Sequence, residues 1–327
     1  MTQRQVALLS LGILVISASA ALAQAPGLEG TFSIIARDSA TGELGMAVQS
    51  KTLAVGSRTI TIKGGVAVVA HQSSSNPMYG AIGLELLAAG MSPQQALDQM
   101  LRGDEGRDSR QVAILDIKGR TAAFTGTGAS DWKGHHCGAN YCAQGNILVG
   151  PEVVQALTST FEASTGSLAE RLLAAMDAGQ RAGGDQRGTQ SAALVIAKPL
   201  GGAAGFGDRV IDLRVDDSRA PLTELRRLLN MFQSRQLASD AYARLREGDI
   251  AAASAAALSA RDKSPEYDEA WVAWAAAELR AGRKSTALDA LRKAIQLNPA
   301  NARQLPRNRN FEALWPDPEF KRLTGSS

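Results

Sequence analysis

The chain has 327 residues, of which 45% are hydrophobic, 20% charged and 5% aromatic. That composition excludes a disordered or fibrous protein and gives enough length for one good-sized core plus a small second domain. A net charge of +3 is too small to imply a nucleic-acid partner, and the densest basic stretches, "ELRRLLNMFQSR" and "QLPRNRNF", read as solvated faces or turns.

The first element is a targeting segment. Arg4 precedes the apolar run "VALLSLGILVISASAALA", which ends in an A-x-A site at Ala21-Leu22-Ala23. This is the pattern of a Sec-type signal peptide over residues 1–23, cut before Gln24. No cysteine follows to carry a lipid anchor. An uncleaved membrane helix is the other reading of a run only just long enough to span, and no later segment has that character. The mature protein is therefore expected in the periplasm or outside the cell, with no membrane contact after cleavage and with residues 24–30 as a short propeptide or linker.

Strand patterns follow at Phe32–Ala36, Leu44–Gln49, Arg58–Ile62 and Val66–Gln72, separated by turn signals such as "DSATGE" and "KGG". Two helical patterns come next, "YGAIGLELLAAG" and "SPQQALDQMLRG", the second with Ser92 as N-cap and Pro93 at the first helical position. Then come strands at "RQVAILDI", "TAAFTG" and "AQGNILVG", helices at "EVVQALTSTFEAS" and "SLAERLLAAMDAGQRA", and strands at "QSAALVIA" and "DRVIDLRV". Grouped strands and grouped helices argue for an α+β layered fold over residues 31–220 rather than singly alternating βαβ units. Two sheets face to face, each covered by a helix pair, would bury every apolar face.

From residue 221 to 327 the texture changes to Ala-, Leu- and Arg-rich helices that break at Gly and end at Pro265 and Pro299. This is the tetratricopeptide rhythm of paired helices at a period of about 34 residues. Two repeats are few for a free solenoid, so this all-α tail is expected to pack on its neighbour or to be capped by "FEALWPDPEFKRL", with Trp271 and Trp274 inside the repeats.

Cys137 and Cys142 in "HHCGANYC" are the only cysteines. In an exported protein such a pair reads first as a disulfide. Metal binding with His135 and His136 is the alternative, but zinc prefers a tidier spacing and a second ligand pair, and His71 is the only other histidine. No metal and no cofactor is expected. The chain has no G-x-S-x-G elbow, P-loop, H-E-x-x-H motif or dinucleotide fingerprint.

Thr31 remains. A hydroxyl needs a base, and an N-terminal threonine carries one in its own α-amine, whose ordinary pKa of about 7.7–8 suits proton abstraction near neutral pH. The arrangement works only if Thr31 is the first residue. Otherwise Thr31 simply opens a strand.

Residues 31 to about 197 closely resemble the bacterial family known as domain of unknown function 1028. The resemblance is carried by "TFSIIARDSATGELGMAVQSK", "LAVGS", "HQSSSNPMYGAIGLELLAAGMS", "DEGRDSRQVAILD", "TGTGASDWKGHHCGANYCAQGNILVG", "LAERLLAAMDAG" and "GGDQRGTQSAALVI". It implies the four-layer αββα sandwich of the N-terminal nucleophile (Ntn) hydrolases. Family members often begin Met-Thr-Phe-Ser, so that loss of Met exposes threonine. Here a second cut, between Gly30 and Thr31, would be needed.

Carried over by the same resemblance are Ser50, Asn76 and Asp185 as catalytic partners of Thr31. Gln72, Arg107, Arg110, Gln144, Asn146, Arg187, Gln190 and Ser191 carry over as substrate-binding groups, with Gln111 beside Arg110. Amides can stabilise an oxyanion and arginine can bind a carboxylate in two-pronged fashion. Each has a structural alternative: Arg107 as a helix cap, Asn76 before Pro77 as a turn residue, Gln190 as a loop tie. Asp38 fits either orientation of the amine or a plain turn. Two functions follow from these residues. One is an exported amidohydrolase acting on a small molecule or peptide through Thr31. The other is a catalytically silent Ntn-fold binding module whose helical tail contacts a protein or cell-envelope partner. Association of copies into a homo-oligomer is compatible with both.

Overall fold

A computed structural model describes residues 30–326. The expected signal peptide and all but the last residue of the 24–30 segment lie outside the described residues. In chain order, β1 (Thr31–Arg37) and β2 (Leu44–Ser50) form a hairpin, followed by a short helix α1 (Val55–Thr59), β3 (Ile60–Lys63) and β4 (Ala67–Ser73). Helices α2 (Met78–Ala88) and α3 (Pro93–Arg102) precede β5 (Arg110–Asp116), β6 (Thr121–Thr125), β7 (Gly134–Gly138) and β8 (Tyr141–Asn146). Helices α4 (Glu152–Ala163) and α5 (Leu168–Arg181) lead to β9 (Ser191–Ala197) and β10 (Arg209–Val215).

Two antiparallel sheets result, one ordered β10-β9-β2-β1-β8-β7 and the other β3-β4-β5-β6. Alternation along each strand sorts the side chains by face. Ile35, Met46, Val48, Val68, Ala70, Leu115 and Val195 fill the space between the sheets. Phe32, Ile34 and Leu194 turn outward onto Leu157, Leu172 and Leu173 of α4 and α5. On the other outer face Val69, Val112 and Ile114 meet Tyr79, Leu97 and Met100 of α2 and α3. The layers therefore run helix, sheet, sheet, helix. Ser92 caps α3 through a reciprocal pair, its hydroxyl accepting from Gln95 N at 3.3 Å while the Gln95 side chain accepts from Ser92 N at 2.9 Å.

Three expected elements differ. Arg58 and Thr59 belong to α1, where the Thr59 hydroxyl donates to the Val55 carbonyl at 2.9 Å, so the strand starts only at Ile60. The "HHCGANYC" stretch, to which the sequence reading assigns no strand of its own, is the hairpin β7–β8, with Cys137 and Cys142 directly opposed at a Cα separation of 4.0 Å and their sulfurs at disulfide distance. The strand expected through Gly150 ends at Asn146, because Ile147 turns to a left-handed φ of 52°.

The C-terminal region is helical. Helix α6 (Pro221–Glu247) is followed by α7 (Ile250–Lys263), α8 (Asp268–Arg280), α9 (Lys284–Leu297), α10 (Asn301–Gln304) and α11 (Pro318–Thr324). Helix α6 serves two cores. Its Leu222, Leu225 and Leu229 seal the first sheet, while Ala241 and Leu245 join an alanine-rich core with Ala253, Ala276 and Ala290. Phe311 and Phe320 plug the far end of that core. Trp271 and Trp274 pack against it and meet each other edge to face, with Arg261 stacked 4.1 Å above the Trp274 ring. Among the described residues no helix is long and apolar enough to cross a membrane.

Candidate functional site

Thr31 opens β1, a central strand, with Ser50 of β2 on one side and Asn146 of β8 on the other. The pleat turns Thr31, Ser33, Ser50, Gln144 and Asn146 to the face that meets the second sheet. Thr31 is buried, and its hydroxyl donates to Ser50 Oγ at 3.1 Å. The Ser50 hydroxyl in turn donates to the carbonyl oxygen of Gly30. Arg187 Nη2 donates to that same oxygen at 2.9 Å. One peptide carbonyl, immediately before the threonine, thus receives a hydroxyl and a guanidinium.

The second sheet contributes amides. Gln72 of β4 and Gln111 of β5 are cross-strand neighbours. Ser33 Oγ donates to Gln72 Oε1 at 2.7 Å, and Gln72 Nε2 donates to the Thr31 carbonyl at 3.1 Å and to Gln111 Oε1 at 2.8 Å. Asn146 Nδ2 reaches the same Gln111 oxygen at 2.9 Å, while Gln111 Nε2 donates to the Gly145 carbonyl at 2.8 Å. Buried networks of this kind fix geometry when every member is paired. Here three buried atoms are not: Asn146 Oδ1 and both amide atoms of Gln144 have no partner among the described residues. Orphan polar atoms cost about 1–3 kcal/mol each, and their presence beside Thr31 marks a polar site rather than ordinary core.

Asp185 organises the cation. Its side chain is fully buried and accepts from Lys51 N at 3.1 Å, Arg187 N at 3.0 Å, Arg187 Nε at 3.1 Å and Arg187 Nη2 at 2.8 Å. The forked pair fixes the guanidinium plane, leaving Nη2 aimed at Gly30. The approach of this loop relies on Gly183 and Gly184, whose φ values of 116° and 63° suit glycine.

Of the residues expected from sequence, Thr31, Ser50, Gln72, Gln111, Gln144, Asn146, Asp185 and Arg187 converge here. The others serve nearby loops. Ser191 Oγ donates to the Thr52 carbonyl and accepts from Val55 N at 3.0 Å, tying down the loop after β2. Gln190 Nε2 donates to Asp217 at 3.1 Å. Arg110 grips Asp104 at 2.9 Å and the Ser74 carbonyl, and that guanidinium is the main reason the Asp104 carboxyl is held down to about 2. Tyr79 donates to the same carboxylate at 3.1 Å, and burial pushes its hydroxyl up to about 12. Asn76 accepts from Met78 N at 3.1 Å as a turn residue, and Arg107 is exposed on a single 3₁₀ turn. Asp38 lies at the opposite end of β1, where it accepts from Ala40 N and Thr41 N, so it holds the hairpin turn and is remote from Thr31.

Ser33 and Lys51 were missed. Ser33 had a signal: a hydroxyl two residues after Thr31 falls on the same face of the strand. His71 faces the helix layer, between Thr61 Oγ1 at 3.1 Å and Ser75 Oγ at 2.8 Å, and burial lowers its pKa to about 4. His135 Nδ1 meets Thr125 Oγ1 at 2.9 Å.

No curated protein matches the sequence. Among solved structures, the crystal structure of protein SPO2555 from Silicibacter pomeroyi, assigned to DUF1028, is similar at 33% identity and a TM-score of 0.56, over 61% of this chain and 84% of that one. The model of the family of unknown function DUF1028 matches residues 31–225, more than half of the chain. The β1-to-α6 portion that builds the site is thus the portion that places this chain in the family DUF1028.

Proposed function

We propose that this chain is an exported N-terminal-nucleophile amidohydrolase that frees Thr31 by cutting its own Gly30–Thr31 bond and then uses Thr31 on an amide substrate. The observation that carries the reading is the Gly30 carbonyl, held by Ser50 and Arg187 directly beside the Thr31 hydroxyl. Thr31 Oγ attacks the Gly30 carbonyl carbon. Its proton passes to Ser50 Oγ, whose own proton already points at the carbonyl oxygen, and the Arg187 cation stabilises the developing charge there. Collapse breaks the C–N bond, the nitrogen takes a proton, and Gly30 is left as an ester on Thr31. Water then hydrolyses that ester, giving a Gly30 carboxylate and a free α-amine on Thr31.

In turnover the amine serves as the base and an external amide takes the place of the Gly30 peptide. Ser50 and Arg187 again hold the carbonyl oxygen, while Gln72 and Gln111 fix the Thr31 backbone. The layered order of helices and sheets supports an Ntn-hydrolase-like sandwich, and the paired alanine-rich helices support a tetratricopeptide-like tail that contacts a protein or envelope partner.

The test is the intact mass of the full chain after export from a bacterial host, alongside Thr31→Ala. A wild-type start at Thr31, with the variant retaining the residues before position 31, supports the reading. An uncut wild type leaves the amine blocked and overturns it in favour of a binding module.

A further inference from the structure

We infer that the acyl half of the substrate carries no β-carbon: the site takes amides of acetyl or glycyl type and rejects L-aminoacyl groups. This rests on the hydrolase reading above. The acyl group seated at Thr31 in the described chain is that of Gly30, so the walls around its α-carbon are the walls an incoming acyl group meets.

Those walls are close and stiff. A Cβ built on Gly30 would lie 2.8 Å from Asp185 Oδ1, 2.8 Å from Asp185 Oδ2 and 2.8 Å from Ile147 Cβ. Separations of that size are well inside van der Waals contact, so a methyl group enters only if a wall moves. Neither wall ends in a flexible chain. Asp185 is held by four donors, three of them from Arg187. Displacing it would also drag Arg187 off the carbonyl oxygen, so an oversized acyl group would lose transition-state stabilisation as well as binding. Ile147 is pinned at the backbone, its N–H donating to the Ser130 carbonyl at 3.2 Å and its carbonyl accepting from Gln186 N at 3.0 Å.

Ile147 adds an independent sign that the wall is a built feature. A β-branched residue at a φ of 52° is an outlier. Glycine would relax it. The strained isoleucine instead sets its Cβ 2.8 Å from where a β-carbon on residue 30 would fall, narrowing the acyl site.

The experiment uses the full chain after export, with its start read by intact mass, and three probes: 4-nitroacetanilide, glycine 4-nitroanilide and L-alanine 4-nitroanilide. The expected result is a start at Thr31 and a kcat/KM for the glycyl or acetyl probe about 10–200-fold above the L-alanyl probe, the range one methylene commands in a fitted pocket. Ile147→Gly, which suits that φ, is expected to narrow the ratio about tenfold by raising L-alanyl turnover. A Thr31 start with equal rates on all three probes overturns this inference and leaves the hydrolase reading standing. A Thr31 start with no release from the glycyl and acetyl probes also overturns it. Residues retained ahead of Thr31 overturn the hydrolase reading and this inference together.

Discussion

Arg187 and Gly30, 157 residues apart in sequence, meet through a 2.9 Å hydrogen bond from the guanidinium to the peptide carbonyl. The same Nη2 is 2.8 Å from Asp185, so one nitrogen links a buried carboxylate to the peptide bond proposed to be cut. Arg187→Lys keeps the charge but loses the fork. Self-cleavage of the variant should slow by about 10²–10³-fold, as for the removal of one oxyanion donor. A mass-spectrometric time course of precursor against product reads it directly, and cleavage at the wild-type rate would remove Arg187 from the chemistry.

Ser50 sits between the Thr31 hydroxyl and the Gly30 carbonyl, accepting from the first and donating to the second. Ser50→Ala breaks the relay without changing the strand, since both residues fit the same inward-facing position. The expected outcome is accumulation of uncut chain, with cleavage at least about 100-fold slower and a circular dichroism spectrum unchanged from wild type. Thr31→Ser should retain cleavage, because the hydroxyl and its partner are kept.

Gln111 is the hub of the network below them. Removing its amide in Gln111→Ala would leave Asn146 Nδ2 without its partner and take one partner each from the Gly145 carbonyl and from Gln72 Nε2, which keeps the Thr31 carbonyl. Buried groups that lose their partner cost about 1–3 kcal/mol each. The variant is expected to lose about 3–5 kcal/mol of stability in urea unfolding, part of the stranded set being re-paired by trapped water. A loss below about 1 kcal/mol would mean the amides are dispensable to the fold.

Much of this arrangement was legible in the chain. The alternating or continuous apolar runs of β1, β2, β5 and β9, grouped apart from the helical patterns, pointed to the order of layers. Thr31 stood out because threonine after glycine at the head of a strand matters only if the bond between them is cut. Convergence was not legible. Nothing local says that Arg187 points at Gly30 while Arg110, in an equally polar motif, grips Asp104. Both are arginines near an aspartate, and the difference lies in which loop end the sheets bring to Thr31. The hairpin β7–β8 escaped for a related reason: "HHCGANYC" has little apolar alternation, and its strand character comes from pairing and from the opposed cysteines. The break at Ile147 ran against propensity, since a β-branched residue normally prolongs a strand.

His71 gives the fold a pH dependence whose sign is fixed. Burial lowers its pKa from 6.5 to about 4, and its ring nitrogens meet the hydroxyls of Thr61 and Ser75. Between those values the unfolded chain binds a proton that the folded chain refuses, so stability is full above pH 6.5 and falls as the pH drops to about 4. A shift of that size corresponds to about 3 kcal/mol. Asp104, held near 2 against an ordinary 3.8, loses its contribution only below that window, so the two groups separate on the pH axis. His71→Gln should flatten the change in urea midpoint between pH 7 and pH 4.5 while leaving the steeper loss at lower pH. If the variant keeps the wild-type slope across that interval, a carboxylate rather than the buried imidazole is responsible, and His71 must then reach water in the folded state.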